Sequence, residues 1–90
     1  MRLESEEEKE VVAWAKRNGW YTRKLKWIGR VAGPDRFFAK DGKPVFMEMK
    51  RRGEPLNPTQ EREIARMIRK GLDACWFDNA EDAIEYLESH

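Results

Sequence analysis

The stretch "RFFAKDGKPVFMEMK", residues 36–50, decides the fold. Two apolar runs flank Asp41-Gly42, a dipeptide that adopts positive φ readily and is a strong hairpin signal. In the second run, alternation puts Val45, Met47 and Met49 on one face and Phe46, Glu48 and Lys50 on the other. Strand rise sets Glu48 and Lys50 roughly 7 Å apart along that face. A pairing centred on the Asp-Gly turn brings Asp35, at the entry to the first run, opposite Glu48. Two carboxylates then converge with an ammonium beside them. The plainer alternative is a Glu–Lys pair on an exposed strand face, since E-x-K alone is a weak signal. Gly33-Pro34-Asp35, lying upstream within a basic segment, makes that alternative the poorer reading.

Working outward, Glu4–Asn18 has helical spacing, with Val11, Val12 and Ala15 as an apolar stripe. Ser5 is placed to cap this helix, with Glu8 in capping-box register, and Gly19 ends it. "WYTRKLKWI", residues 20–28, reads as a strand, and "GRVAGPD" as a bend. "NPTQ" opens a second helix with Asn57 as cap and Pro58 in the first turn. That helix runs to about Lys70 with Ile64, Met67 and Ile68 inward. "DACWFD" reads as a fourth strand, and Asn79 caps a last helix with Ala83, Ile84 and Leu87 inward. The expected order is α-β-β-β-α-β-α. Three strands form an antiparallel meander, and the second helix is a crossover that permits parallel pairing of the fourth. The expectation is one α/β domain over residues 1–90, a sandwich around a mixed sheet.

Composition narrows the chemistry. The chain has 90 residues, 40% of them hydrophobic and 39% charged. A domain of this size buries only about 60% of its unfolded surface, so an oligomer would add to a modest core. No apolar run is long enough to span a bilayer, and the acidic "MRLESEEEKE" is unlike a secretion signal, so a cytoplasmic protein is expected. Cys75 is the single cysteine and His90 the single histidine, which argues against disulfide frameworks, zinc-dependent deamination, Ser-His-Asp hydrolysis and histidine-dependent nuclease chemistry. Hydrolytic chemistry here must use carboxylates, lysine and a hard metal ion. The net charge of +1 conceals an uneven distribution. Residues 16–52 carry twelve basic side chains against three acidic ones, as expected of a surface that meets a polyanion.

Two carboxylates and a main-chain carbonyl are the hard oxygen donors that Mg²⁺ prefers, with waters and a phosphate oxygen completing the shell. Such an ion polarises a phosphodiester and lowers the pKa of a bound water, and Lys50 is placed to orient that water or stabilise the transition state. Candidate phosphate contacts are Arg23, Lys24, Lys26, Arg30, Arg36, Arg51 and Arg52. Trp20, Tyr21, Trp27 and Trp76 offer surfaces for stacking on unpaired bases, although core packing is the expected role of most of them.

The ordered motifs Pro34-Asp35, Glu48-Met49-Lys50 and Pro58-Thr59-Gln60 closely resemble those of the virus-type replication-repair nuclease (VRR-NUC) domain, within the PD-(D/E)XK nuclease superfamily. The resemblance extends over essentially the whole chain and implies a restriction-endonuclease-like fold. It implies Asp35 and Glu48 as metal ligands with the Met49 carbonyl, Lys50 as the catalytic lysine, and Gln60 reaching the site from the second helix. Gln60 also reads as the reciprocal half of a helix cap with Asn57. The resemblance further implies a first-helix glutamate near the metal. Glu4 is favoured and Glu8 second, with Glu6 and Glu7 expected in solvent. One departure is Ala32-Gly33-Pro34-Asp35 in place of G-x-P-D, which bears on the bend more than on the chemistry.

What this implies is a Mg²⁺-dependent, structure-selective DNA endonuclease, with Mn²⁺ substituting. It is similar to the small stand-alone members of phages and bacteria that resolve Holliday junctions as homodimers. A monomeric flap or single-strand-end nuclease is the alternative among enzymes. An inert DNA-binding module on the same fold, or a purely structural dimerisation domain, are the rivals outside enzymology.

Overall fold

The computed structural model describes residues 2–29 and 32–90. The elements run α1 (Glu4–Arg17), β1 (Tyr21–Lys24), β2 (Arg36–Lys40), β3 (Lys43–Met49), α2 (Pro58–Arg69), β4 (Ala74–Phe77) and α3 (Ala80–Glu88). The sheet order is β1-β2-β3-β4, antiparallel through the first three strands and parallel between β3 and β4. This is the mixed α/β sandwich expected from the pattern.

The β2–β3 hairpin has the expected register. Lys40 faces Lys43 across the turn, and Arg36 faces Met47. Asp41 and Gly42 have φ of 53° and 76°, the two left-handed positions of a type I′ turn. One sheet face packs on α1 and α3 through Val11, Ala15, Phe38, Val45, Met47, Met49, Ala83 and Leu87. Each large apolar side chain fully buried there contributes about 1.5–3 kcal/mol. The other face meets α2 through Ile64, Met67 and Ala74, with Trp27, Phe46 and Leu56 packed against them.

Three sequence expectations are corrected. β1 stops at Lys24 rather than running to Ile28, because the Trp27 indole turns back to donate to the Pro34 carbonyl at 2.6 Å. That ring lies so close over Gly33 that a Cβ there would sit 2.5 Å from it. The glycine before Pro34 is thus a packing requirement. α1 is capped at Leu3, not Ser5, and the Glu6 carboxylate accepts the Leu3 N–H at 3.1 Å. Ile68, read as inward, is 54% exposed, whereas Ile64 and Met67 are buried. The main sheet partner of α2 is β4, and Ile68 lies outside the cluster that Ile64 and Met67 form with Ala74.

Candidate active site

The candidate residues meet at one end of the sheet, where β1 and β3 finish and β2 begins. There the Leu25 N–H donates to the Asp35 carbonyl at 2.7 Å, and the hairpin register continues from Arg36–Met47 to bring Asp35 opposite Glu48. Glu48 is 8% exposed, and Lys50 is equally buried just beyond β3, its N–H bonded to the Phe77 carbonyl at 2.8 Å. The Lys50 ammonium lies 3.8 Å from Glu48 Oε2. Burial, and then the Asp35 charge, push the Glu48 carboxyl up to about 7, with Lys50 opposing and Glu4 adding to the shift. A buried carboxylate beside a second carboxylate is a place where a cation relieves the repulsion.

Gln60 forms the helix cap, and its side chain also touches Glu48. Its N–H donates to Asn57 Oδ1 at 2.9 Å and its Oε1 accepts the Asn57 N–H at 3.1 Å, a complete capping box at the start of α2. Its side-chain amide still reaches Glu48 Oε2 at 3.4 Å. The two candidate glutamates of α1 separate. Glu8 is held by Lys24 at 3.0 Å and by Arg36 at 2.8 Å. Glu4 carries no such bond among the described residues. Its carboxyl is pushed up, chiefly by burial, with Lys50 opposing and Asp35 next in effect. Glu4 is therefore the α1 carboxylate that faces the Glu48–Lys50 group electrostatically.

Glu7 overturns its expectation. Read as solvated, it is fully buried and accepts the Ala80 N–H at the first turn of α3 at 2.8 Å. Arg2 and Arg52 lie 3.7 and 3.8 Å from it. The signal was available, since Glu7, Val11 and Ala15 are spaced by four along one helix row.

The basic candidates are dispersed. Lys24 bridges Glu8 and Asp35, the latter at 3.2 Å. Arg36 is half-buried against Glu8, and Arg52 pairs with Glu81 at 2.9 Å. Arg23 stacks over Tyr21 at 4.3 Å. Lys26 and Arg51 are exposed, and Arg30 lies outside the described residues. Of the aromatics, Trp20 is buried while Tyr21 and Trp76 are 53% and 38% exposed. His90 is engaged away from the site, its Nε2 2.6 Å from Asp73 Oδ2, with the Tyr86 hydroxyl donating to the other Asp73 oxygen. Burial pushes the Cys75 thiol up, which leaves it a poor nucleophile.

Among the described residues, no group of three or more His, Cys, Asp or Glu side chains forms a metal cage. The residues that could hold a cation here are the carboxylates of Asp35 and Glu48 with the main-chain carbonyl of Met49, whose side chain is buried in the core. That set suits Mg²⁺, which uses one or two carboxylates together with waters and substrate oxygens.

No family model and no curated protein matches the sequence. A solved structure described as a "VRR_NUC domain" is similar to this chain, with 25% sequence identity and a TM-score of 0.84. The alignment covers 97% of this chain and 95% of that one. Likeness in fold over nearly the whole length, joined to Pro34-Asp35, Glu48-Met49-Lys50 and Pro58-Thr59-Gln60 in the same order, supports the VRR-NUC family for this chain.

Proposed function

We propose that the protein is a Mg²⁺-dependent, structure-selective DNA endonuclease, acting as a homodimer on four-way junctions. The observation that carries this reading is the convergence on Glu48 of Asp35, Lys50 and Gln60 at the buried end of the sheet. Mg²⁺, or Mn²⁺ in its place, would be held by Asp35, Glu48 and the Met49 carbonyl, supplying Lewis-acid polarisation of a phosphodiester and a bound water of lowered pKa. Lys50 stabilises the negative charge that develops on the phosphoryl oxygens. Gln60 fixes the orientation of Glu48 from a capped, rigid helix start. Glu4 serves as the carboxylate of α1, with Glu8 held back by its cations. Exposed Lys26 and Arg51 and the stacked Arg23 contribute phosphate contacts that carry no base preference. A two-fold dimer would supply a second site for the opposing strand and extra buried area for a small core.

The test is a labelled four-way junction, a 5′ flap and plain duplex, each incubated with Mg²⁺ or EDTA beside a Lys50→Ala variant. Symmetric Mg²⁺-dependent nicks in the junction, absent from the variant, are expected. Cutting of the flap alone keeps the nuclease and replaces the resolvase with a flap enzyme. Binding without cutting of any substrate replaces both with an inert DNA-binding module.

A further inference from the structure

A cleft of about 400 Å³ lies beside α1, on the sheet face opposite α2. Its helical wall presents Lys9, Val12, Ala13 and Lys16, and Lys24 and Arg36 enter it from β1 and β2. Glu8 is the one carboxylate in the lining, and its charge is already met by Lys24 and Arg36 at 3.0 and 2.8 Å. Lys9 and Lys16 are exposed and have no ion-pair partner among the described residues. Lys24 and Arg36 are held by Glu8, and Lys9 and Lys16 add two unpaired cations to the groove, with Val12 and Ala13 as an apolar wall between them.

The groove is connected to the candidate active site. Lys24, which holds Glu8 inside it, also reaches Asp35 Oδ2 at 3.2 Å. Lys9 and Lys16 are seven residues apart on α1, about 10 Å of helix. That length is on the order of one to two phosphate spacings measured along a strand, so each lysine can meet its own phosphate. A single small anion needs one cluster of donors. A line of cations over apolar side chains matches alternating phosphate and deoxyribose.

We infer that this cleft is a track for the sugar-phosphate backbone of one DNA strand, holding phosphates removed from the one that is cut, with Lys9 and Lys16 as its contacts. The inference rests on the nuclease reading above and extends it to a surface that, of the candidate site residues, only Glu8, Lys24 and Arg36 touch. Buried Glu8 acts here by positioning: it fixes Lys24 and Arg36 at the inner end of the track.

Fluorescence anisotropy with a labelled four-way junction, in EDTA so that binding is read without cutting, tests the track. The wild type, Lys9→Gln/Lys16→Gln and a control, Lys43→Gln/Lys70→Gln, are compared over a series of salt concentrations. Both lysines of each pair are exposed, so all three proteins should fold alike. The cleft pair should lower affinity about tenfold and make the dependence of log K on log salt shallower by about 1.8, or about 0.9 for each lost phosphate contact. The control should leave affinity within about twofold, as expected if its lysines touch no phosphate. Affinity and slope equal to wild type, or an equal loss in the control, would overturn the track. Nicking by the wild type in Mg²⁺ is scored on the same preparation. A wild type that nicks while the cleft variant binds normally retains the active site and loses the track. A wild type that never nicks but shows the shallower slope on substitution retains the track and loses the nuclease.

Discussion

Glu7 on α1 and Glu48 on β3 are both buried carboxylates set against the first turn of a helix, yet their surroundings differ. Glu7 takes a main-chain N–H of α3 at 2.8 Å and has two arginines within 4 Å. Glu48 has a side-chain amide at 3.4 Å, the main chain of Asp35 and an ammonium at 3.8 Å, with the Asp35 carboxylate opposing it. The first arrangement gives one carboxylate oxygen a main-chain N–H, leaves Oε2 facing Arg52 without a hydrogen bond among the described residues, and ties two distant parts of the chain together. The second sets one carboxylate against another and pushes the Glu48 carboxyl toward its neutral form, a cost that a bound cation would relieve. Burial alone therefore does not separate a structural acid from a chemical one. The surrounding charges do.

The largest expected effect breaks the comparison from the chemical side. Glu48→Gln should reduce Mg²⁺-dependent nicking by about 10³-fold or more, because a proposed donor to the metal is lost. It should leave the free energy of unfolding unchanged or raise it, since an unfavourable buried charge is removed. A Glu48→Gln protein that unfolds as readily as a Glu7 variant would erase the distinction. From the structural side, Glu7→Ala should cost about 3 kcal/mol in urea unfolding, as breaking a buried charged contact does. The folded fraction should keep its specific nicking activity. A loss below about 1 kcal/mol would mean that the contact between α1 and α3 holds without Glu7.

The smallest effect sharpens the contrast through pH. Glu48 titrates near 7 in the folded protein and near 4.5 when unfolded. Between those values the native state binds the extra proton, so stability falls as pH rises from about 4.5 to about 7 and then levels off. Allowing for solvent screening, the fall should be about 1–2 kcal/mol. Chemical unfolding in EDTA at several pH values measures it. Glu48→Gln should flatten the profile, and Mg²⁺ should weaken or reverse it. A profile in the variant identical to wild type would assign the slope to another group.

Much of this arrangement was legible because it is local. Asp41-Gly42 dictates the hairpin, the hairpin dictates the register, and the register places Asp35 against Glu48. Asn57 and Asn79 announce the starts of α2 and α3 with their own side chains. What stayed hidden depends on partners far along the chain. Glu7 is separated by 73 positions from the N–H it accepts, so its acidic neighbours suggest solvent instead. β1 looks like nine strand residues until Trp27 is seen to fold back over Gly33. Gln60 was read as either cap or site residue, and its side chain forms the cap through its oxygen while its amide meets Glu48. Lys9 and Lys16 carry no sequence signal beyond helical spacing. Their meaning comes from the sheet surface that α1 leaves uncovered.

The two-residue turn between β2 and β3 has a consequence for how this domain can change over evolution. Both proposed metal-binding carboxylates flank a single hairpin, so their approach costs little loop-closure entropy and needs few other elements in place. The same economy makes the turn intolerant of length variation. One residue inserted at Asp41-Gly42 would slip the register by one and turn every side chain of β3 over. Met47 and Met49 would then face α2 and the site, and Glu48 would be driven into the apolar layer beneath α1. Insertions elsewhere on the surface can accumulate as silent history, but in this turn they would remove the chemistry and the core in a single step.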